Sequence, residues 1–274
     1  MYHAGFKFDV LDEGFVSVVD YMGNDKAIAE AAWVSTKKNS EDVKDIERII
    51  NYMMRNGHTS PFEMCEIKLH VKLPIFVARQ WIRHRTANVN EYSGRYSKMP
   101  NEFYCPENWH TQSKTNNQGS NKEDVVILEK HLGSKTVTVP EDCFNLYEEL
   151  LEAGVSKEEA RIHLPLSTYT EWFWKIDLHN LFHFLQLRND PHAQKEIREY
   201  AYAIEQIVGA WVPIAYNAYV KKVNRDNFAK KFLWEKGDFY DISDLIKIAI
   251  DHLKEEDEYL KPLAEKIINE IDNT

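Results

Sequence analysis

The clearest pattern in the chain is a strict alternation of apolar and polar residues from Cys65 to Leu73. A repeat of two residues places every apolar side chain on one face, so this segment is predicted to be a half-buried β-strand. Further short strands are expected at residues 6–10, 15–20 and 168–176.

Helices are predicted where apolar residues return every three or four positions. The pattern is plainest in residues 42–55, where Ile46, Ile50 and Met53 share one stripe and Gly57 follows as a stop signal. Pro74 cannot donate to a sheet but suits the first turn of a helix, so the chain changes type there. The predicted helices are 25–34, 42–55, 74–85, 140–153, 179–188 and 191–211. The chain is therefore expected to be mixed α and β.

Two segments stand apart from this pattern. Residues 110–124 are rich in Asn, Gln, Ser and Lys and are predicted to form a mobile surface insertion. Residues 242–253 and 260–271 predict two amphipathic helices near the C-terminus. We therefore expect a main domain over residues 1–220 and a helical C-terminal extension over residues 221–274.

Composition and charge narrow the class of protein. The chain has 274 residues, of which 43% are hydrophobic and 28% charged, as is typical of soluble globular proteins. It shows no apolar run long enough to span a bilayer and no basic-then-apolar leader, so a cytoplasmic location without a membrane partner is expected. A formal net charge of −10 argues against a nucleic-acid-binding module.

The three cysteines do not suggest a disulfide framework and fit a reducing compartment. Cys65 lies on the apolar face of its strand and Cys143 lies in a helical stripe, so both are predicted to be small core residues. Cys105 precedes Pro106 in a loop, with no neighbour in sequence that would activate its thiol. No cysteine is therefore a good candidate nucleophile.

Arginines gather at the end of the third predicted helix and in the loop beyond it. They are Arg79, Arg83, Arg85 and Arg95. Such a cluster in an acidic protein suggests an anionic ligand, because guanidinium groups donate paired hydrogen bonds to phosphate and carboxylate. A solvated basic patch is the alternative.

The same stretch carries a longer motif. Arg83-His84-Arg85 is followed after seven residues by Ser93 and then by Gly94-Arg95-Tyr96-Ser97. This arrangement resembles the signature of the flavin-dependent thymidylate synthases, and the resemblance extends over about residues 15–211. It includes residues 22–25, 57–58, 60–63, 74–80, 160–161, 164–166, 187–188 and 192–194, in the order of the family.

The resemblance implies an α+β fold with a central, mainly antiparallel sheet flanked by helices, assembled as a homotetramer whose active sites are shared between subunits. Residues 1–220 would then be the catalytic domain. The implied reaction makes dTMP from dUMP. Methylenetetrahydrofolate would supply the methylene group, FAD would carry the reducing equivalents, and NADPH would provide them. These molecules are anionic, which fits a positive pocket in an acidic protein.

The resemblance also implies roles for individual residues. The implied dUMP contacts are Gln80, Trp81, Ile82, Arg83, Glu91, Tyr92, Ser93, Gly94, Arg95 and Arg161. The implied FAD contacts are Ser60, Arg83, His84, Arg85, Glu91, Asp177, His179 and His183. Arg188 matches the catalytic arginine that polarises the uracil and favours ionisation at N3. His58 and Tyr96 match positions on the folate and nicotinamide side.

Asp177, His179 and His183 depart from the residues that some family members carry against the flavin. Asp177 is expected to cap the following helix. His179 and His183 are four residues apart and share a helix face, which also suits zinc. No third metal ligand is evident, so flavin contact is the preferred interpretation.

Ser93 lacks an adjacent base that would activate its hydroxyl. We therefore predict that no protein side chain attacks the uracil. A phosphate- or nucleic-acid-binding protein using the arginine cluster, and a metal-dependent hydrolase using the two histidines, remain as alternatives.

Overall fold

The computed structural model describes residues 4–114 and 119–235. The chain divides into two compact units, residues 1–219 and 220–274. Of the second unit only residues 220–235 are described, so the two helices predicted at 242–253 and 260–271 lie outside the described residues. The assignment of residues 221–274 as an extension stays a prediction.

Seven strands and nine α-helices are formed by the described residues. The strands are β1 (Lys7–Val10), β2 (Gly14–Met22), β3 (Glu66–Pro74), β4 (Asn88–Glu91), β5 (Trp109–Gln112), β6 (Ser120–Val126) and β7 (Tyr169–Asp177). The helices are α1 (Asp25–Trp33), α2 (Val43–Asn56), α3 (Ser60–Glu63), α4 (Ile75–Trp81), α5 (Lys130–Glu152), α6 (Lys157–Ala160), α7 (Leu178–Arg188), α8 (Lys195–Trp211) and α9 (Pro213–Glu235).

Five of the strands form one sheet in the order β1-β2-β3-β7-β4, and each neighbouring pair is antiparallel. The alternation that predicted β3 is confirmed, because Ile67, Leu69 and Val71 are buried while the residues between them are only half-buried. The register pairs Leu69 with Trp174 and Val71 with Trp172, so the apolar residues of both strands share one face. Helices α4, α7 and α8 contact the sheet. The predicted α+β class is confirmed.

The core between sheet and helices is built around Trp81, the last residue of α4. Its indole ring contacts Trp174 (ring centroids 5.1 Å apart), Phe184 (4.8 Å) and Tyr200 (6.0 Å). Aromatic pairs at these separations add to the gain from apolar burial. The end of α4 is therefore fixed against β7, α7 and α8, and the motif that follows begins from a rigid point.

Several predicted boundaries were wrong. Helix α4 ends at Trp81 rather than at residue 85, because the chain turns at once toward β4. Strand β4 was not predicted, since asparagines are poor strand formers; it exists because it pairs with the edge of β7. Helix α5 begins at Lys130, ten residues before the prediction, with Pro140 in its interior instead of its first turn. Its first turns hold Gly133 and β-branched residues, which weaken a helical signal.

Helix α8 also differs from its prediction, since it begins at Lys195 and not at residue 191. The carboxylate of Asp190 accepts the backbone N–H of His192 (2.8 Å), and this turn takes up the intervening residues. Helix α9 was not predicted.

Strands β5 and β6 form a separate two-stranded antiparallel sheet where the sequence indicated a polar insertion. The mobility of that insertion stays a prediction. No helix within residues 4–114 and 119–235 has the length and apolar character needed to cross a bilayer.

Candidate active site

Arg188 is the last residue of α7 and is half-buried against the turn that follows α4. Its Nε donates to Nε2 of His84 (2.9 Å), and its Nη2 donates to the carbonyl oxygen of Gln80 (3.2 Å). Burial lowers the pKa of Arg188, but a guanidinium remains a cation at neutral pH. The result is a fixed, partly desolvated positive charge.

His84 is neutral in this arrangement. Its Nε2 accepts from Arg188, so the ring proton is on Nδ1. Burial lowers the pKa of His84 to about 4, helped by the positive charge of Arg188 and by His183. The His84 ring also packs edge-on against Phe184, with centroids 4.9 Å apart. Gln80, His84, His183 and Arg188 thus form one group, which we call the arginine–histidine cluster.

A second group forms around the loop of residues 91–97, which we call the Ser93 loop. The carbonyl oxygen of Ser93 accepts from the backbone N–H groups of Tyr96 (3.1 Å) and Ser97 (3.0 Å). The Ser93 hydroxyl accepts from the backbone N–H of Arg95 (3.3 Å). Ser93 therefore shapes a tight turn, a role that side-chain hydroxyls commonly fill.

The Ser93 loop is tied to the segment of residues 157–161. Arg95 Nε donates to the Glu158 carboxylate (2.9 Å), and Lys157 Nζ donates to the carbonyl of Tyr96 (3.0 Å). A Cβ placed on Gly94 would lie 3.2 Å from Cδ of Arg161 and 2.7 Å from Sδ of Met99. A side chain at position 94 would therefore displace its neighbours, so glycine allows Arg161 to lie against the loop.

Glu91 ends β4 and leads into the Ser93 loop. Its carboxylate accepts from the hydroxyl of Thr170 on β7 (2.9 Å). The next residue, Tyr92, donates its backbone N–H to the carbonyl of Glu171 (2.7 Å), so the loop starts from a strand edge. Glu91 itself stays exposed and keeps acceptor capacity for a ligand.

His58 and Ser60 lie in the connection from α2 to α3. Gly57 ends α2 in the left-handed conformation (φ +70°), as its sequence position indicated. His58 stacks on Tyr52, with ring centroids 6.1 Å apart. Ser60 begins α3, and Phe62 of this helix packs against Phe182 of α7, which brings the two helices together.

Asp177 caps α7, as predicted. Its carboxylate accepts the backbone N–H of Asn180 (3.0 Å). His179 is half-buried and His183 is exposed on the same helix. Within residues 4–114 and 119–235, no three His, Cys, Asp or Glu side chains come together as a possible metal site. The zinc alternative would need such a group.

Trp81 requires a correction among the predicted dUMP contacts. Its side chain is completely buried in the core, so it is not accessible to a ligand. It acts as the rigid base of the motif instead. Ile82, by contrast, is 42% exposed. Arginines 79, 83, 85, 95 and 161 are exposed.

Some residues beside the predicted site were missed by sequence reasoning. Glu158 and Lys157 hold the Ser93 loop, and Thr170 holds Glu91. Gln194 accepts a hydrogen bond from the side-chain amide of Gln80. Of these residues, only Gln194 could have been found from the sequence, because it lies in one of the segments that carry the family resemblance. The others depend on contacts over 60 to 80 residues, which no local pattern reveals.

The three cysteines differ in their burial. Cys65 is completely buried, and desolvation together with the negative charge of Asp25 raises the pKa of its thiol to about 11. Cys143 is half-buried on α5. Cys105 is exposed, and its backbone N–H donates to the carboxylate of Asp12 (3.1 Å).

This chain is similar in sequence to a family of known proteins. The sequence model of a family described as "Thymidylate synthase complementing protein" matches residues 17–214. The flavin-dependent thymidylate synthase of Wolbachia pipientis wMel is 54% identical over 214 residues, which are 77% of this chain and 75% of that protein. The enzyme of the same name from Ehrlichia ruminantium (strain Gardel) is 52% identical over 231 residues, or 82% and 76% of the two chains.

A solved structure is also similar. The UMP/dUMP methylase PolB from Streptomyces cacaoi, crystallised with 5-Br dUMP, superposes with a TM-score of 0.69 at 29% sequence identity. The match covers 78% of this chain and 97% of that one. Sequence and fold therefore point to the same family.

Proposed function

Because this chain belongs to the flavin-dependent thymidylate synthase family, we propose that it converts dUMP to dTMP with methylenetetrahydrofolate as the carbon donor, FAD as the hydride carrier and NADPH as the reductant. The family makes the protein an enzyme and implies a flavin cofactor. The similar Streptomyces protein, described as a dUMP methylase, supports dUMP as the substrate.

Arg188 is the observation that carries the proposal. Its guanidinium is half-buried, charged, and held by His84 and the backbone of Gln80. The two bonds use Nε and Nη2 and leave Nη1 for a ligand. A preorganised cation beside the pyrimidine would stabilise negative charge developing on the ring, since it needs no reorientation during the reaction.

The Ser93 loop would bind the nucleotide. The guanidinium groups of Arg95 and Arg161 suit phosphate oxygens. Gln80, Ile82 and Arg83 would add contacts from the end of α4 and the turn that follows it, where Ile82 is 42% exposed. The arginine–histidine cluster and the Ser93 loop have separate supports within the chain. We propose that each site combines residues of neighbouring subunits in a homotetramer, as the family resemblance implies.

The residues present fit an FAD molecule by the chemistry of their side chains. Arg83 and Arg85 are exposed cations on the turn beside His84, and such groups suit a pyrophosphate. The remaining proposed contacts lie on α3, on β4, and on α7 with its cap; they are Ser60, Glu91, Asp177, His179 and His183. Bound flavin, once reduced, would supply hydride. His58 and Tyr96 would line the folate and nicotinamide side.

We propose that no side chain adds to the uracil. The Cys65 thiol is buried with a raised pKa, and the Ser93 hydroxyl is engaged by the backbone of its own turn. The enzyme would therefore work by binding and orientation, with Arg188 stabilising charge. A cytoplasmic location fits substrates of this kind.

The decisive assay measures release of tritium from C5-labelled dUMP with NADPH and methylenetetrahydrofolate present. We expect a yellow protein whose release of tritium depends on both co-substrates and on flavin. A colourless protein that binds polyanions with strong salt dependence would instead indicate the phosphate-binding alternative. Bound zinc and inhibition by chelators would indicate the hydrolase.

A further inference from the structure

We propose that His84 is a positioning residue, whose neutral imidazole fixes the orientation of the Arg188 guanidinium. The inference rests on the proposed function, in that Arg188 is taken to face the pyrimidine. The two residues lie 104 positions apart along this chain and are joined by one hydrogen bond. It differs from the expected role of His84 as a flavin contact, because the atom concerned is Nε2 and the partner is Arg188.

Two hydrogen bonds define the guanidinium plane. Nε donates to His84 Nε2 at 2.9 Å, and Nη2 donates to the carbonyl of Gln80 at 3.2 Å. The carbonyl belongs to helix α4 and cannot turn away. With only that bond, the guanidinium could still rotate about the Nη2–oxygen contact, so the bond to His84 is the one that sets its direction.

His84 is itself well held. Its backbone N–H donates to the carbonyl of Trp81 (3.0 Å), and Trp81 is anchored in the core. Its ring lies against Phe184 of α7, one turn before Arg188. The acceptor therefore has a fixed position relative to α7, as preorganisation of a charged group requires.

The arrangement works only while His84 is neutral. A protonated ring would have no free acceptor at Nε2 and would repel the guanidinium. Burial and the charge of Arg188 lower the pKa of His84 to about 4, and His183 on the same helix adds to this effect. The orientation of Arg188 would thus persist through the neutral pH range.

The kinetic test compares His84→Gln with His84→Leu, because Gln keeps an acceptor near the position of Nε2 and Leu keeps only the bulk. At saturating FAD, we expect His84→Leu to lower kcat for tritium release by about tenfold or more, the loss typical of a hydrogen bond to a charged group. We expect dUMP affinity to change by less than about threefold, and His84→Gln to recover most of kcat. Equal losses in the two variants would overturn the proposal.

Testing His84→Leu in an enzyme that already carries Arg188→Lys shows whether His84 acts by orienting Arg188 or only by packing. Lysine has no counterpart of Nε–H, so in an Arg188→Lys enzyme His84 has nothing to orient. We expect His84→Leu to have little further effect there, whereas the same fold-loss in both backgrounds would contradict the inference.

A measurement that does not depend on turnover tests the inference even if the proposed function is wrong. In ¹⁵N spectra of histidine-labelled protein, His84 should show an unprotonated Nε2 at pH 7, and Arg188→Ala should raise its pKa. Titration near 6.5 that is unchanged by Arg188→Ala would overturn the inference. Absence of tritium release with these spectra intact would overturn the function alone.

Discussion

At the level of single residues, burial decides whether a reactive group can take part in chemistry. Cys65 has the thiol that a cysteine-dependent methylation would need, yet it is completely buried and its pKa is raised to about 11. A thiol in this state holds almost no thiolate at neutral pH. Apolar packing is therefore its role.

This leads to a prediction for an enzyme without cysteines. The combined change Cys65→Ala, Cys105→Ser and Cys143→Ala should retain appreciable turnover, while Cys65→Ala lowers the free energy of unfolding by about 1 kcal/mol through the small cavity it leaves. The measurements are tritium release per bound flavin and urea unfolding. Complete loss of turnover in a folded, flavin-loaded protein would contradict it.

His84 predicts a dependence of stability on pH. Its pKa is lowered in the folded state to about 4 from an ordinary value of 6.5. Between these values the unfolded chain binds a proton that the folded chain does not, so His84 reduces stability progressively as pH falls from about 6.5 toward 4. Melting temperatures at pH 7.5 and 5 should therefore differ more for the wild type than for His84→Gln. An equal difference would show that His84 is not buried as a neutral ring.

At the level of secondary-structure elements, the ends of α7 determine where two of the candidate site residues lie. Helix α7 begins at the Asp177 cap and ends at Arg188, so this one element carries three of the proposed flavin contacts and the proposed catalytic cation. Helix α2 offers a matched case, because Asp42 caps it by accepting the N–H of Lys44 (2.9 Å) and lies outside the proposed site.

The two caps allow a controlled prediction. Asp177→Ala and Asp42→Ala should each lower the free energy of unfolding by about 1 kcal/mol, the usual cost of losing such a cap. Only Asp177→Ala should also lower the flavin content of the purified protein. Asp177→Asn should restore stability, since the amide oxygen can still accept from Asn180. Equal flavin content in both alanine variants would remove Asp177 from the proposed site.

The elements also show what a sequence can reveal. Strand β3 and helix α2 were predicted to within two residues, because each has a strong repeat and a clear stop, Pro74 for the strand and Gly57 for the helix. Strand β4 and the early turns of α5 were missed because their residues have weak intrinsic preferences, which tertiary contacts override.

The start of α9 could not be predicted either, because it depends on a residue that is distant in the sequence. The carboxylate of Asp25 accepts the backbone N–H groups of Ile214 (3.1 Å) and Ala215 (2.8 Å). This cap lies about 190 residues away along the chain, so no local pattern could reveal it. The bond between Arg188 and His84 was hidden for the same reason, although both residues were recognised from their motifs.

At the level of the whole molecule, the candidate residues fall into two groups with separate supports. The arginine–histidine cluster is fixed by α4 and α7, and the Ser93 loop is fixed by residues 157–161. A nucleotide has two recognition ends, a base and a phosphate. We infer that one subunit offers the first group and its neighbour offers the second.

Mixed tetramers test this division of labour. Arg188→Ala and Arg161→Ala subunits should each be strongly impaired alone. Co-assembled in equal amounts, they should recover about a quarter of wild-type turnover, because a randomly paired site draws each arginine intact from half of the subunits. The control mixes wild-type subunits with subunits that carry both Arg188→Ala and Arg161→Ala. This mixture should show about a quarter of wild-type turnover if sites are shared, but about half if each site lies within one subunit. No recovery in the first mixture together with half in the second would show that each subunit holds a complete site. Native mass spectrometry verifies that the subunits have mixed before turnover is compared.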